Sequence, residues 1–64
     1  MNIKFDKEAD VIYLRFSDSE IAESDEDKPG IVIDYDKDGN IVGIEVLHAS
    51  QKIGKPGSVV YEVD

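Results

Sequence analysis

Apolar and polar residues alternate with a period of two along most of this chain, and that period marks β-strands. In Val11–Phe16, Val11, Tyr13 and Arg15 point one way and Ile12, Leu14 and Phe16 the other. This segment is apolar on most of both faces, so it belongs in the middle of a sheet. Asn2–Phe5 forms a preceding strand, joined to it by Asp6-Lys7-Glu8-Ala9-Asp10. Ile31, Ile33 and Tyr35 alternate with Val32 and Asp34, and Val42, Ile44 and Val46 alternate with Gly43 and Glu45. Strands are therefore expected over Ile31–Tyr35, opened by Pro29-Gly30, and over Ile41–Leu47. Ser58–Val63 alternates well enough for a fifth. The intervening Ser17–Pro29 is polar, carrying Asp18, Glu20, Glu23, Asp25, Glu26 and Asp27, interrupted by Ile21-Ala22. It reads as a loop or as a short edge strand whose charges discourage edge-to-edge pairing. After Leu47, His48–Ile53 makes one helical turn before Gly54 stops it. The expectation is a mainly β fold: a small antiparallel β-meander of four to five strands with one short helical turn near 48–53.

The kinds of apolar residue support strands over helices. Ile and Val together number fifteen, against two Leu and three Ala, and β-branched side chains suit a pleated surface. With 64 residues the chain is one domain, 1–64, near the lower limit for burying a self-sufficient core. A hydrophobic content of 41% is too high for intrinsic disorder. No cysteine is present, so neither disulfides nor thiolate metal sites can brace the fold. Self-association is then a natural way to cover the remaining apolar face, and a homodimer is expected.

Charge narrows the partners. Seven basic residues against fifteen acidic give a net charge of −8, which repels phosphate backbones and argues against nucleic acid. Basic proteins, cations or a second copy remain, and the same charge also serves solubility. The longest uncharged apolar run, Val11–Leu14, is four residues, too short for a membrane span. Met1-Asn2-Ile3-Lys4-Phe5-Asp6 enters a strand pattern directly, without a leader segment, so a cytoplasmic location is expected.

Asp34-Tyr35-Asp36-Lys37-Asp38-Gly39-Asn40-Ile41-Val42-Gly43-Ile44-Glu45 satisfies the twelve-residue calcium-loop pattern, with carboxylates at positions 1, 3, 5 and 12 and glycine at the turn. That loop works between two helices, whereas both flanks here read as strands. Lys37-Asp38-Gly39 is equally the chemistry of a hairpin with a type I turn and a glycine bulge. In such a hairpin Asp34 and Asp36 share a face of the entering strand, and Glu45 lies several residues up the returning one. The hairpin is the preferred reading. A cation site using Asp34, Asp36, Asp38, Asn40 and Glu45 is the alternative.

Other chemistry is thin. His48 is the only histidine, so one chain has no histidine cluster for a metal, and it is expected as a partly exposed residue at a strand end. The serines show no nucleophile-elbow pattern, and glycines occur singly, without a phosphate-binding loop; no cofactor and no enzyme activity are expected. Asp6 and Asp10 are assigned to organising the first turn through side-chain to backbone bonds. Tyr13 and Arg15, on one strand face, are residue types that anchor binding partners, and they are the candidate partner contacts. Ile3-Lys4-Phe5-Asp6-Lys7 also echoes Ile33-Asp34-Tyr35-Asp36-Lys37, and Asp10-Val11-Ile12 echoes Asn40-Ile41-Val42, at an offset of thirty residues. Two hairpins of similar turn chemistry, or an ancestral duplication, would each produce this.

Phe5-Asp6-Lys7-Glu8-Ala9-Asp10-Val11-Ile12-Tyr13-Leu14, the Ile21-Ala22-Glu23-Ser24 segment, and Pro29–Asp36 through Gly39–Val46 together resemble a family of very short prokaryotic proteins known as domain of unknown function 2283. The resemblance covers about residues 1–50; Gly54–Asp64 departs from it, where a short helix or ragged tail often follows. It implies a small sheet-dominated fold without an established activity. Genes of such proteins are said to neighbour small toxin-like proteins, which implies an antitoxin role for some relatives. Two functions follow as expectations: a small acidic non-catalytic binding module, antitoxin-like or an adaptor for a basic partner; or a calcium or other cation-binding protein using the 34–45 loop.

Overall fold

The computed structural model describes residues 1–64 and shows five strands and one helical turn. They are β1 (Asn2–Asp6), β2 (Val11–Arg15), β3 (Glu23–Lys28), β4 (Ile31–Tyr35), β5 (Ile41–Leu47) and α1 (Ala49–Lys52). All neighbours pair antiparallel in the order β1-β2-β5-β4-β3. A hairpin, β1-β2, is thus joined to a three-strand meander, β3-β4-β5, through the β2-β5 contact. The mainly β expectation and the helical turn near 48–53 are borne out. Of the two readings open for the polar Ser17–Pro29 segment, the edge strand forms, over Glu23–Lys28.

One expected strand does not form. Ser58–Val63 runs without regular structure, and Val59–Asp64 makes no backbone hydrogen bond. Alternation makes a segment fit for a sheet, but a strand exists only where a neighbour supplies the ladder, and no edge of this chain's own sheet takes the tail.

Cross-strand partners share a face, so the register sorts the side chains into rows. On one face lie Ile3–Leu14–Ile44–Ile33–Asp25 and Phe5–Ile12–Val46–Ile31–Lys28. On the other lie Asn2–Arg15–Gly43–Asp34–Ser24, Lys4–Tyr13–Glu45–Val32–Glu26 and Asp6–Val11–Leu47. The first face is apolar up to the acidic edge; the second is mixed. Neither carries a second layer. Only Ile12, Val42 and Ala49 form a buried hydrophobic core, and just six of 64 residues are buried. Leu14, Ile31, Ile33, Ile44, Val46 and Phe5 stay half-exposed, and Ile3 is 40% exposed. The shape is correspondingly flat, 33 × 31 × 19 Å.

α1 closes one end of the sheet. Ala49 N–H donates to the Asp10 carbonyl (2.9 Å), and Ser50 donates to the Asp10 carboxylate through its N–H (3.0 Å) and its hydroxyl (2.7 Å). Lys52 Nζ donates to the Leu47 carbonyl (2.8 Å), and Leu47 N–H to the Gly30 carbonyl (2.8 Å). Gly30 sits at φ +83°, and a Cβ there would fall 2.5 Å from Lys52 Nζ. Turn β1-β2, turn β3-β4 and the exit of β5 therefore converge beneath one helical turn. Asp10 was expected to organise its own turn. Only Asp6 does so, accepting from Glu8 N–H and Ala9 N–H at 3.1 Å each, while Asp10 spans forty residues to hold α1.

The thirty-residue echo is realised in the register. Asn2↔Arg15, Ile3↔Leu14 and Lys4↔Tyr13 become Val32↔Glu45, Ile33↔Ile44 and Asp34↔Gly43 when thirty is added to each number, and all three pairs exist. Leu14 faces Ile44 across β2 and β5, so the two hairpins are related by an approximate two-fold axis through that pair. The relation breaks at Tyr35, where a bulge shifts its partner to Ile41.

Candidate functional site

The most connected polar group in the molecule is built on the mixed face. Asp34 is 3% exposed and is the one buried charged side chain. Its carboxylate accepts from the Ser24 hydroxyl on β3 (2.5 Å) and from the Tyr13 hydroxyl on β2 (3.2 Å). Tyr13 reaches Asp34 across β5, and Gly43 makes the crossing possible. A Cβ at Gly43 would lie 2.9 Å from the Tyr13 hydroxyl oxygen and 2.7 Å from the Leu14 carbonyl. Glycine in a central strand here marks a close approach by a side chain, not a bend. Burial first, and then the bond to Asp34, raise the Tyr13 phenol above its ordinary value.

Glu45 lies between Tyr13 and Val32 in the adjacent row. Burial first, and the Asp34 charge second, hold its carboxyl above the ordinary value. With Lys4, Asp6, Val11, Tyr13 and Arg15, it lines an open depression of about 450 Å³. Tyr13 and Arg15, the expected partner contacts, thus share one face. Tyr13 is half-buried and tied to Asp34, and Arg15 donates to the Ser19 carbonyl (3.3 Å).

The Asp34–Glu45 segment is a hairpin. Asp36 Oδ1 accepts from Asp38 N–H and Asn40 N–H, both at 2.9 Å, Gly39 N–H bonds back to the Asp36 carbonyl (3.1 Å), and Gly39 sits at φ +83°. This is the turn with glycine in the left-handed region that Lys37-Asp38-Gly39 predicts. The five residues of the alternative cation set fall into two groups, Asp36, Asp38 and Asn40 in the turn and Asp34 with Glu45 on the mixed face. Asp34 faces Ser24 and Tyr13, Asp36 bonds its own loop, and Glu45 stands on the mixed face beside Tyr13. No group of three or more His, Cys, Asp or Glu side chains is placed to hold a metal ion.

His48 is exposed at the end of β5 in a left-handed conformation, φ 54°. Asp10 and Asp36 both have carboxyl pKa values below the ordinary one: Asp10 through its bonds from the Ser50 hydroxyl and backbone, Asp36 through those from the Asn40 and Asp38 backbones. Sequence reasoning missed Ser24, Gly43 and Ser50. Gly43 carried a usable signal, a lone glycine within a strand pattern. Ser24, amid acidic residues, and Ser50, forty residues from Asp10, carried none.

No helix is long and apolar enough to cross a membrane. Comparison with curated proteins and with solved structures finds no match. A family model described as "Protein of unknown function (DUF2283)" matches residues 2–50, which span all five strands and the start of α1. By that match over most of its length, the chain belongs to the DUF2283 family of proteins of unknown function.

Proposed function

We propose that this protein is a small acidic, non-catalytic binding module that self-associates through its apolar sheet face and engages a basic protein, as an adaptor or in an antitoxin-like role. The observation that carries this reading is the uncovered face. A sheet with one apolar side needs a second layer, and here the rows Ile3–Leu14–Ile44–Ile33 and Phe5–Ile12–Val46–Ile31 have none. Of these eight residues only Ile12 is buried, and a partly accessible apolar face of this kind marks interaction sites.

The net charge of −8 supports the choice of partner, because an acidic field speeds encounter with basic surfaces. The depression around Tyr13 and Arg15 offers an aromatic wall and a guanidinium on the opposite face. A non-catalytic role fits the titratable side chains, several of which are held in structural bonds: Asp10 to Ser50, Asp36 to its own loop, Tyr13 to Asp34.

The test is affinity purification of the tagged protein from its native host in moderate salt, with the captured species then purified and titrated against it. A single small basic protein is expected, bound more weakly as salt rises and weakened further by Arg15→Ala in a variant of unchanged fold. Capture of no basic protein, or binding indifferent to salt, would refute the basic-partner reading.

A further inference from the structure

The two edges of the sheet are unlike. β3 is defended: it carries Glu23, Asp25, Glu26 and Asp27, and a register shift between Glu26 and Lys28 disturbs its ladder. β1 is not. Asn2–Asp6 has β2 on one side only, and no backbone hydrogen bond reaches it from any other segment. Ile3 is 40% exposed, Phe5 partly so, and Met1 just ahead of the strand is 76% exposed. A row of unpaired backbone donors and acceptors flanked by exposed apolar side chains is a template for another strand.

The chain also contains an unused strand. Ser58-Val59-Val60-Tyr61-Glu62-Val63 is rich in β-branched and aromatic residues and has a single charge, yet it makes no ladder within its own chain. Val60, Tyr61 and Val63 are 73% to 79% exposed. Tyr61 lines a groove of about 410 Å³ with Met1, Asn2 and Ile3, so the start of β1 accommodates an aromatic side chain of this segment. Side-chain proximity without a ladder leaves both sets of backbone groups free for a second copy.

We infer that the 58–63 segment of one copy adds as a strand to the β1 edge of a second copy, which returns its own segment to the first. Main-chain bonds supply the ladder, and Tyr61 occupies the groove at Met1–Ile3 of the other chain. Because the exchange is reciprocal, it closes as a two-fold dimer and leaves no β1 edge open to further growth. This inference rests on the self-association proposed above and adds an edge contact, made by the 58–63 segment, that the dimer needs besides the apolar face.

The experiment compares the full chain with one ending at Gly57 by multi-angle light scattering and sedimentation. The full chain is expected to be a dimer. The shortened chain is expected to be a folded monomer, with the apparent dimer dissociation constant raised about 100-fold or more. Since the protein has no cysteine, Ile3→Cys and Val60→Cys chains carrying different tags give a second readout. Mixed and oxidised, they are expected to form a disulfide joining the two tags, a result independent of whether the shortened chain folds. A shortened chain that stays dimeric, a full chain that is monomeric, or the absence of a disulfide joining the two tags would each overturn the exchange. A dimer that survives shortening leaves the apolar-face reading standing, while failure to capture a basic protein with the exchange intact defeats the basic-partner reading alone.

Discussion

Gly43 and Tyr13 act as one unit, because the missing Cβ of the glycine is the space through which the phenol reaches Asp34. Gly43→Ala is expected to destabilise more than Tyr13→Phe. The alanine Cβ meets the Leu14 carbonyl as well as the Tyr13 hydroxyl, and overpacking against backbone costs about 1–3 kcal/mol. Tyr13→Phe removes one of the two side-chain donors to a buried carboxylate, a loss of about 1 kcal/mol. Urea denaturation of both variants checks the order, and an alanine variant of native stability would contradict the close approach. Glu45 gives a prediction with a definite sign. Its raised folded pKa means that its contribution is favourable below the unfolded value of 4.5 and lost as pH rises through the folded one. Glu45→Gln should therefore raise the melting midpoint at pH 7, and the gain should vanish below pH 4.5. Among these residues Tyr13, Asp34 and Glu45 were singled out in the chain by type and position, and Gly43 carried a signal that was not used. That Ser24 completes the group depends on β3 lying beside β4, which no local signal specifies.

At the scale of elements, hairpins were the legible part. Asp6 and Asp36 each fold their side chains onto backbone N–H groups just ahead, and β1-β2 and β4-β5 follow directly from that turn chemistry and from alternation. β3 was half legible, since acidic residues suit an edge strand and a solvated loop equally. The α1 contact was not legible, because Asp10 and Ser50 meet only after the sheet is assembled. That contact carries its own pH dependence. The Asp10 folded pKa is depressed, so its stabilising effect is present above the ordinary value of 3.8 and is lost as pH falls through the depressed one. Amide exchange at Ala49, Ser50 and Ile53, corrected for the intrinsic rate, should accelerate below pH 3.8 before the sheet amides do. Ser50→Ala should give the same local loosening at neutral pH. Equal acceleration across sheet and helix would show that α1 is not separately clamped.

The whole molecule is a single layer. Six buried residues in 64 leave little interior, so association is expected to add to the stability of the folded chain. Leu14→Asp places a charge at the Leu14–Ile44 pair on the approximate two-fold axis, in a strand with neighbours on both sides. It should abolish folding or association, seen as loss of the cooperative thermal transition or as a monomer by light scattering; a dimer of wild-type midpoint would refute the role given to this row. The shared register of the two hairpins follows from their turns, since the turn sets the register and one antiparallel pair fixes the rest.

Period-two alternation, β-branched composition and Asp-Gly turn chemistry by themselves determined the strand class and the two hairpins, since each is a local preference written within a few residues, whereas α1 ends at Lys52 with Ile53 extended, ahead of the Gly54 expected to stop it. The order β1-β2-β5-β4-β3, the Tyr13–Asp34–Ser24 group and the clamp of Asp10 on Ser50 were decided by the tertiary structure alone. Each joins residues from separate segments, and alternation states which side of a strand is apolar without stating which strand comes next to it. The same reason explains Ser58–Val63, which has the pattern of a strand and lacks, within this chain, the neighbour that would make it one.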